Sequence, residues 1–78
     1  MAAVMRTYSI VLDPDPEGGF SVTVPVLPGC ITQGEGVEDC LAHAQEAIAV
    51  DIEDLVAAGQ PAPEETTSPQ LLRVSVAV

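Results

Sequence analysis

The chain has no tryptophan, one tyrosine, one phenylalanine, one histidine and only two basic side chains among its 78 residues. Arg6 and Arg73 stand against twelve carboxylates, for a formal net charge of −10. Such a chain has almost nothing with which to displace counterions from a nucleic-acid backbone, and phosphate would repel it. Direct DNA or RNA binding is therefore not expected. Long hydrophobic runs are also missing: every apolar stretch falls far short of the ~18 residues that would read as a membrane span. The first six residues, MAAVMR, have neither a basic n-region nor a following apolar h-region, because Thr7 and Ser9 interrupt them and Asp13 closes the stretch. A cytoplasmic location is expected. The two cysteines, Cys30 and Cys40, belong to no C-x-x-C unit and lie near no ligand-like histidine pair. Two buried free thiols are expected, with no metal and no cofactor.

What is present is an apolar share of 47%, enough for one core in a single domain spanning residues 1–78. That length is close to the size at which a lone core is marginal, so self-association as a homodimer or tetramer is expected. The negative field also favours a basic protein partner, including one whose own task is to hold nucleic acid.

Residues 7–12, TYSIVL, alternate with Tyr8, Ile10 and Leu12 on one side, and predict a first strand. DPDPEGG, residues 13–19, is a turn, and FSVTV, residues 20–24, alternates again. Pro25 and Pro28 take the chain out of the sheet, and it returns as a short third strand over residues 30–33. From Val37 the period changes: Val37, Leu41, Ala44, Ile48, Ile52 and Leu55 recur at helical spacing, while Glu38, His43, Gln45, Glu46, Glu53 and Asp54 fill the other face. Gly36 serves as N-cap, Glu38 and Asp39 suit the first turn, and Gly59 with Pro61 stops the helix. At about 33 Å the helix is longer than a six-residue strand, so its acidic end should overhang the sheet. Residues 60–69 form a surface connection, and Leu72, Val74, Val76 and Val78 alternate as a fourth strand.

The expected fold is α+β, of order β-β-β-α-β. A mixed four-stranded sheet of spatial order 3-2-1-4 carries one helix on one face. The opposite face, with Thr7, Ser9, Val11, Ser21, Thr23, Ser75 and Ala77, is flat and weakly charged, and a second subunit is expected to cover it.

The stretch VPVLPGCITQGEG, residues 24–36, is glycine-rich but has no Lys-Ser/Thr pair, and Glu35, Glu38 and Asp39 would oppose a bound phosphate. Its glycines read as a strand-to-helix corner. His43 has Glu46 nearby but neither a nucleophile nor an orienting group, so it reads as a solvated surface residue. A metal-dependent nuclease needs acids converging from strand and helix, whereas Asp13 and Asp15 lie in a turn and the rest are dispersed. No catalytic residue is assigned.

The combination of Gly18-Gly19-Phe20, the Pro25-x-Leu27-Pro28-Gly29-Cys30 corner, Thr32-Gln33-Gly34, Ala44-x-Glu46-Ala47-Ile48 and Gly59-x-Pro61-x-Pro63 resembles the HicB-like antitoxin family over nearly the whole chain. The resemblance implies a degraded ribonuclease H-like domain that is not an enzyme. It implies an antitoxin that neutralises a small basic RNA-cleaving toxin, of the HicA type, by covering its active site. Some family members add a C-terminal DNA-binding domain; with the sequence ending at Val78 after the expected fourth strand, operator binding is not expected. Gly36 departs from the family's capping Thr. The residues expected to face the partner are Asp51, Glu53 and Asp54 at the overhanging helix end, with Glu46 earlier on the same helix. A relic metal-dependent nuclease and an orphan regulatory domain without a toxin partner remain as alternatives.

Overall fold

The computed structural model describes residues 5–78; residues 1–4, part of the stretch in which no leader is expected, lie outside the described residues. Three strands, β1 (Val11–Pro14), β2 (Phe20–Thr23) and β3 (Ile31–Gly34), precede one helix, α1 (Val37–Ala57). The strands form an antiparallel meander in the order β1-β2-β3, as the turn chemistry predicts. In the first hairpin the Asp15 carboxylate accepts the Glu17 N–H at 2.8 Å, and the Asp15 carbonyl accepts the Gly18 N–H at 3.0 Å. The ladder pairs Val11 with Thr23 and Pro14 with Phe20. β1 thus sits later than the predicted 7–12: the tight turn extends pairing as far as Pro14, whose missing N–H is tolerated on an edge strand. β3 also starts one residue later than predicted.

The core consists of two adjoining clusters bridged by Ile10 and Ile48. In one, Val22, Cys40 and Ala44 pack with Leu12 and Phe20. In the other, Val24, Leu27 and Cys30 pack with Tyr8, Ala47, Ile52 and Leu55. Both thiols are free and buried, as expected. The corner between β2 and β3 is two successive turns, Leu27 N–H to the Val24 carbonyl at 3.0 Å and Cys30 N–H to the Leu27 carbonyl at 2.9 Å. These turns direct Leu27 inward beneath Ile52 and Leu55, so the far half of α1 rests on the corner and does not project freely past the sheet.

The helix begins at Gly36 without a side-chain cap. It stops at Gly59, whose φ of +80° suits glycine. There the Gln60 N–H reaches the Leu55 carbonyl and the Gly59 N–H the Val56 carbonyl, which satisfies the last-turn acceptors. The predicted inward stripe needs correction at its start, because Val37 and Leu41 are 59% and 52% exposed while Cys40 is fully buried. The cause is close approach. A Cβ on Gly34 would lie 2.8 Å from both the backbone N and the Sγ of Cys40, so β3 and the first turn of α1 touch through backbone and small side chains. That contact rotates Cys40 and Ala44 onto the sheet, and Leu41, about 100° further round the helix, turns outward.

The fourth strand is the larger correction. No strand forms over residues 72–78, and Leu72, Val74 and Val76 are 76, 84 and 74% exposed. Order 3-2-1-4 therefore reduces, among the described residues, to a three-stranded sheet. Ser75 and Ala77 do not join a sheet face. The connection explains why. The Tyr8 hydroxyl donates to the Pro63 carbonyl at 2.6 Å, and the Ser9 N–H and hydroxyl donate to the two Glu65 carboxylate oxygens at 2.8 and 2.6 Å. Residues 63–65 thus run beside residues 8–9 in the same direction. Continued in that register, the residues that pass β1 are Thr66, Thr67, Ser68, Pro69 and Gln70, which are polar and include a proline unable to donate to a ladder. The apolar alternation arrives only beyond the end of β1.

Candidate functional site

The acids at the far end of α1 were expected to act together. Helical spacing places Glu46, Val50 and Asp54 in one row and His43, Ala47 and Asp51 in the next. These six residues form one wall of a shallow depression of ≈ 560 Å³ whose other wall is Gly29, Cys30, Ile31 and Thr32. Glu46, Asp51 and Asp54 are therefore brought together. Glu53 is not among the lining residues, since two positions from Asp51 is about 200° around the helix. Two apolar side chains of the same lining are open to solvent, Ile31 at 65% and Val50 at 57%. Sequence reasoning missed both, although Val50 stands out as a branched apolar residue on the predicted polar side of the helix.

His43, predicted to be solvated, is held at both nitrogens. Its Nδ1–H donates to the Gln33 carbonyl at 2.6 Å, and Nε2 lies 3.5 Å from an Asp39 carboxylate oxygen. The second Asp39 oxygen accepts the Glu35 N–H at 2.9 Å. Asp39 thereby ties the residue that precedes the Gly36 N-cap to the first turn of the helix. The Gln33 carbonyl and then the Asp39 charge push the imidazole pKa above its ordinary value; partial desolvation opposes this, and Glu46 adds to it. His43 consequently takes up a proton more readily than a free imidazole, on an otherwise acidic wall. Its folded-state pKa exceeds the unfolded one, so its contribution to stability is complete below about pH 6.5 and is lost as pH rises through the folded value. The urea midpoint of the parent chain should exceed that of His43→Gln at pH 5.5, and the gap should shrink above neutrality. Asp39→Ala, which also removes the bond to Glu35, should cost about 0.5–1.5 kcal/mol, read from the same unfolding curves.

Burial, then Asp51, raises the Cys30 thiol pKa, and burial, then Asp39, raises that of Cys40. Both stay protonated near neutrality and make poor nucleophiles. Among the described residues no three His, Cys, Asp or Glu side chains converge to hold a metal ion. No helix among them is long and apolar enough to cross a membrane. The depression combines exposed apolar side chains with carboxylates, a composition suited to contact with another macromolecule.

Comparison with known proteins agrees with a contact role. The model of a family described as HicB_like antitoxin of bacterial toxin-antitoxin system matches residues 8–74. A UPF0150 protein of Synechocystis sp. is 38% identical over 58 residues, 74% of this chain and 73% of that protein. A UPF0150 protein of Thermoplasma acidophilum is 42% identical over 48 residues, 62% of this chain and 70% of its own length. Antitoxin HicB of Escherichia coli is 39% identical over 41 residues, which cover 53% of this chain and 30% of that protein.

Proposed function

The chain belongs to the HicB-like antitoxins of bacterial toxin-antitoxin systems, and on that premise we propose that it neutralises a small basic RNA-cleaving toxin of the HicA type by covering the toxin's active site. The observation that carries this reading is the depression beside α1. Exposed Ile31 and Val50 line it together with Glu46, Asp51 and Asp54. A toxin built to hold RNA presents cationic side chains where phosphates sit. The carboxylates of the depression offer those cations an alternative set of anions, while its apolar side chains supply the desolvated contact that slows dissociation. The inhibitor performs no chemistry in this role, consistent with two protonated thiols and a histidine committed to Gln33 and Asp39. It acts in the cytoplasm, where its target's RNA is found.

The test is co-expression with a short Lys/Arg-rich protein encoded beside this chain, followed by rapid-mixing kinetics on the purified pair. Association should slow at least about tenfold between low and high ionic strength, as the Debye length falls from about 10 Å at 0.1 M to 3 Å at 1 M. Asp51→Lys with Asp54→Lys should lower the association rate and leave the circular dichroism spectrum unchanged. Val50→Asp should act mainly on dissociation. Rates indifferent to salt and to all three substitutions would place the interface elsewhere and leave the acidity a solubility device.

A further inference from the structure

The sheet ends in an open edge, and the acidic wall of α1 stands beside it. In the order β1-β2-β3, only β2 borders β3. A Cβ on Gly19 would lie 2.8 Å from the Gly34 carbonyl oxygen, so that carbonyl points to the β2 side of the ladder in which Phe20 pairs with Gly34. Along a strand the backbone groups alternate sides residue by residue, and those of Ile31 and Gln33 therefore point away from β2. The His43 ring agrees, since the bond that its Nδ1–H donates to the Gln33 carbonyl at 2.6 Å comes from α1 and not from the sheet. His43 closes that one acceptor. The Ile31 N–H, the Ile31 carbonyl and the Gln33 N–H have no backbone partner among the described residues. We propose that this edge receives an extended segment of a cationic partner protein as an added strand, with a basic, an apolar and a second basic side chain of the segment set against Glu46, Val50 and Asp54. The inference rests on the reading above for the partner's basic character; what it adds is the manner of contact and the pattern that is recognised.

Three observations select this occupant. The first is placement: Gly29 to Thr32 form one wall of the ≈ 560 Å³ depression and the row of Glu46, Val50 and Asp54 belongs to the other. A segment paired with Ile31 thus sends its side chains alternately toward that row and away from it. The second is spacing. Glu46, Val50 and Asp54 follow one another at four-residue intervals, about 6 Å of helix rise each. Alternate side chains of a strand recur about every 6.6 Å, so three of them keep step with the three helix positions. The third is charge. The ion pairs among the described residues join Arg6 to Glu64 and His43 to Asp39, which leaves Glu46, Asp51 and Asp54 without a cation there. A second copy of this chain would bring a net charge of −10 to the wall, whereas a basic segment brings the opposite sign. Main-chain bonds along the edge supply affinity in such an arrangement, and the side chains at alternate positions supply selectivity. The exposed edge is kept short, four residues long and closed at Gln33 by His43, in the way native sheets limit indiscriminate pairing.

The test is amide hydrogen exchange of the full chain, followed by NMR at low salt, with a blocked synthetic peptide that alternates threonine with lysine, valine and lysine. At saturation the Ile31 and Gln33 amides should exchange at least about tenfold more slowly, because each gains an acceptor or is shielded beneath the added strand. A peptide of the same composition with its two lysines and valine placed side by side should bind at least about tenfold more weakly, and Glu46→Lys with Asp54→Lys should abolish the difference. Ile31→Pro removes the outward N–H and no bond to β2, and should weaken peptide binding about tenfold, whereas Ile31→Thr, which keeps the N–H, should change it far less. The exchange measurement uses the parent chain, so it decides the matter even where Ile31→Pro unfolds. No slowing at the two amides or equal affinity for the two peptides would overturn the proposal. So would protection in the chain alone that grows with its concentration, which would give the edge to a second copy. Peptide binding at this edge without capture of a basic neighbouring protein would leave the edge assignment standing and remove the toxin reading. A toxin complex with both amides unprotected would do the reverse.

Discussion

Leu27→Ala should lower the stability of the domain by about 2–5 kcal/mol, the largest effect of any single truncation in the corner between β2 and β3. Leu27 is 3% exposed and packs with Val24 and Cys30 against Ile48, Ile52 and Leu55. It therefore joins the irregular corner to the far half of the helix. Its neighbours cannot readily collapse into the void, because two turn hydrogen bonds hold the corner backbone on either side of it. A domain of this length has only roughly 4–12 kcal/mol in hand, so the midpoint of thermal unfolding should fall by at least about 8 °C. Thermal denaturation followed at 222 nm is the measurement. A fall of a degree or two would mean that the corner is held by its backbone turns alone and that the helix end does not depend on it. The same substitution bears on function, because Gly29 to Thr32, which follow Leu27, form the wall of the depression opposite Glu46 and Asp51. Loss of the Leu27 anchor should therefore weaken partner binding even below the melting temperature.

The second large effect is expected at Gly34→Ala. The added methyl would stand 2.8 Å from the Cys40 backbone nitrogen, 2.8 Å from its Sγ and 3.0 Å from its Cα. A sulfur can move; a helical backbone nitrogen cannot, short of displacing the first turn. The cost should be about 1–3 kcal/mol, at the upper end for an overpacking change because the obstruction is main chain. Gly34→Ala combined with Cys40→Ala provides the internal control. If the obstruction is the backbone, removing the sulfur leaves most of the loss in place; recovery of parental stability would assign the strain to the thiol. Gly19 sits in the same contact, since a Cβ there would lie 2.8 Å from the Gly34 carbonyl oxygen. The glycines of this corner allow three elements to approach closely, and no phosphate-cradling role is needed to account for them.

Much of this architecture was legible in the chain. The period of two in residues 20–24, the proline-rich break after Val24 and the change to helical spacing at Val37 locate β2, the corner and α1 correctly to within a residue or two, because backbone conformation follows local sterics and local hydrophobic pattern. The stop at Gly59 and the acid-rich first turn are likewise properties of a few adjacent residues. The acidic character of the candidate site was visible as well: Glu46, Asp51 and Asp54 share one wall because helical geometry alone brings them together.

Other features required the third dimension. Which side of the helix begin faces the sheet was decided by Gly34 and Cys40, six residues apart and on different elements, and Leu41 lost its expected place in the core as a result. His43 has no partner in its own neighbourhood apart from Asp39; it is the folding of β3 beneath α1 that delivers the Gln33 carbonyl and raises its pKa. Ile31 and Val50 come to share one surface only once strand and helix are packed. The last seven residues show the limit most clearly. Their alternation does identify a segment that wants an apolar face on one side, and local chemistry can say no more. Whether that segment pairs with β1 depends on how far residues 63–65 are tied to Tyr8 and Ser9, a pair of contacts more than fifty positions apart in the sequence. Local pattern determined what each segment can form; the long-range contacts decided what each segment could reach.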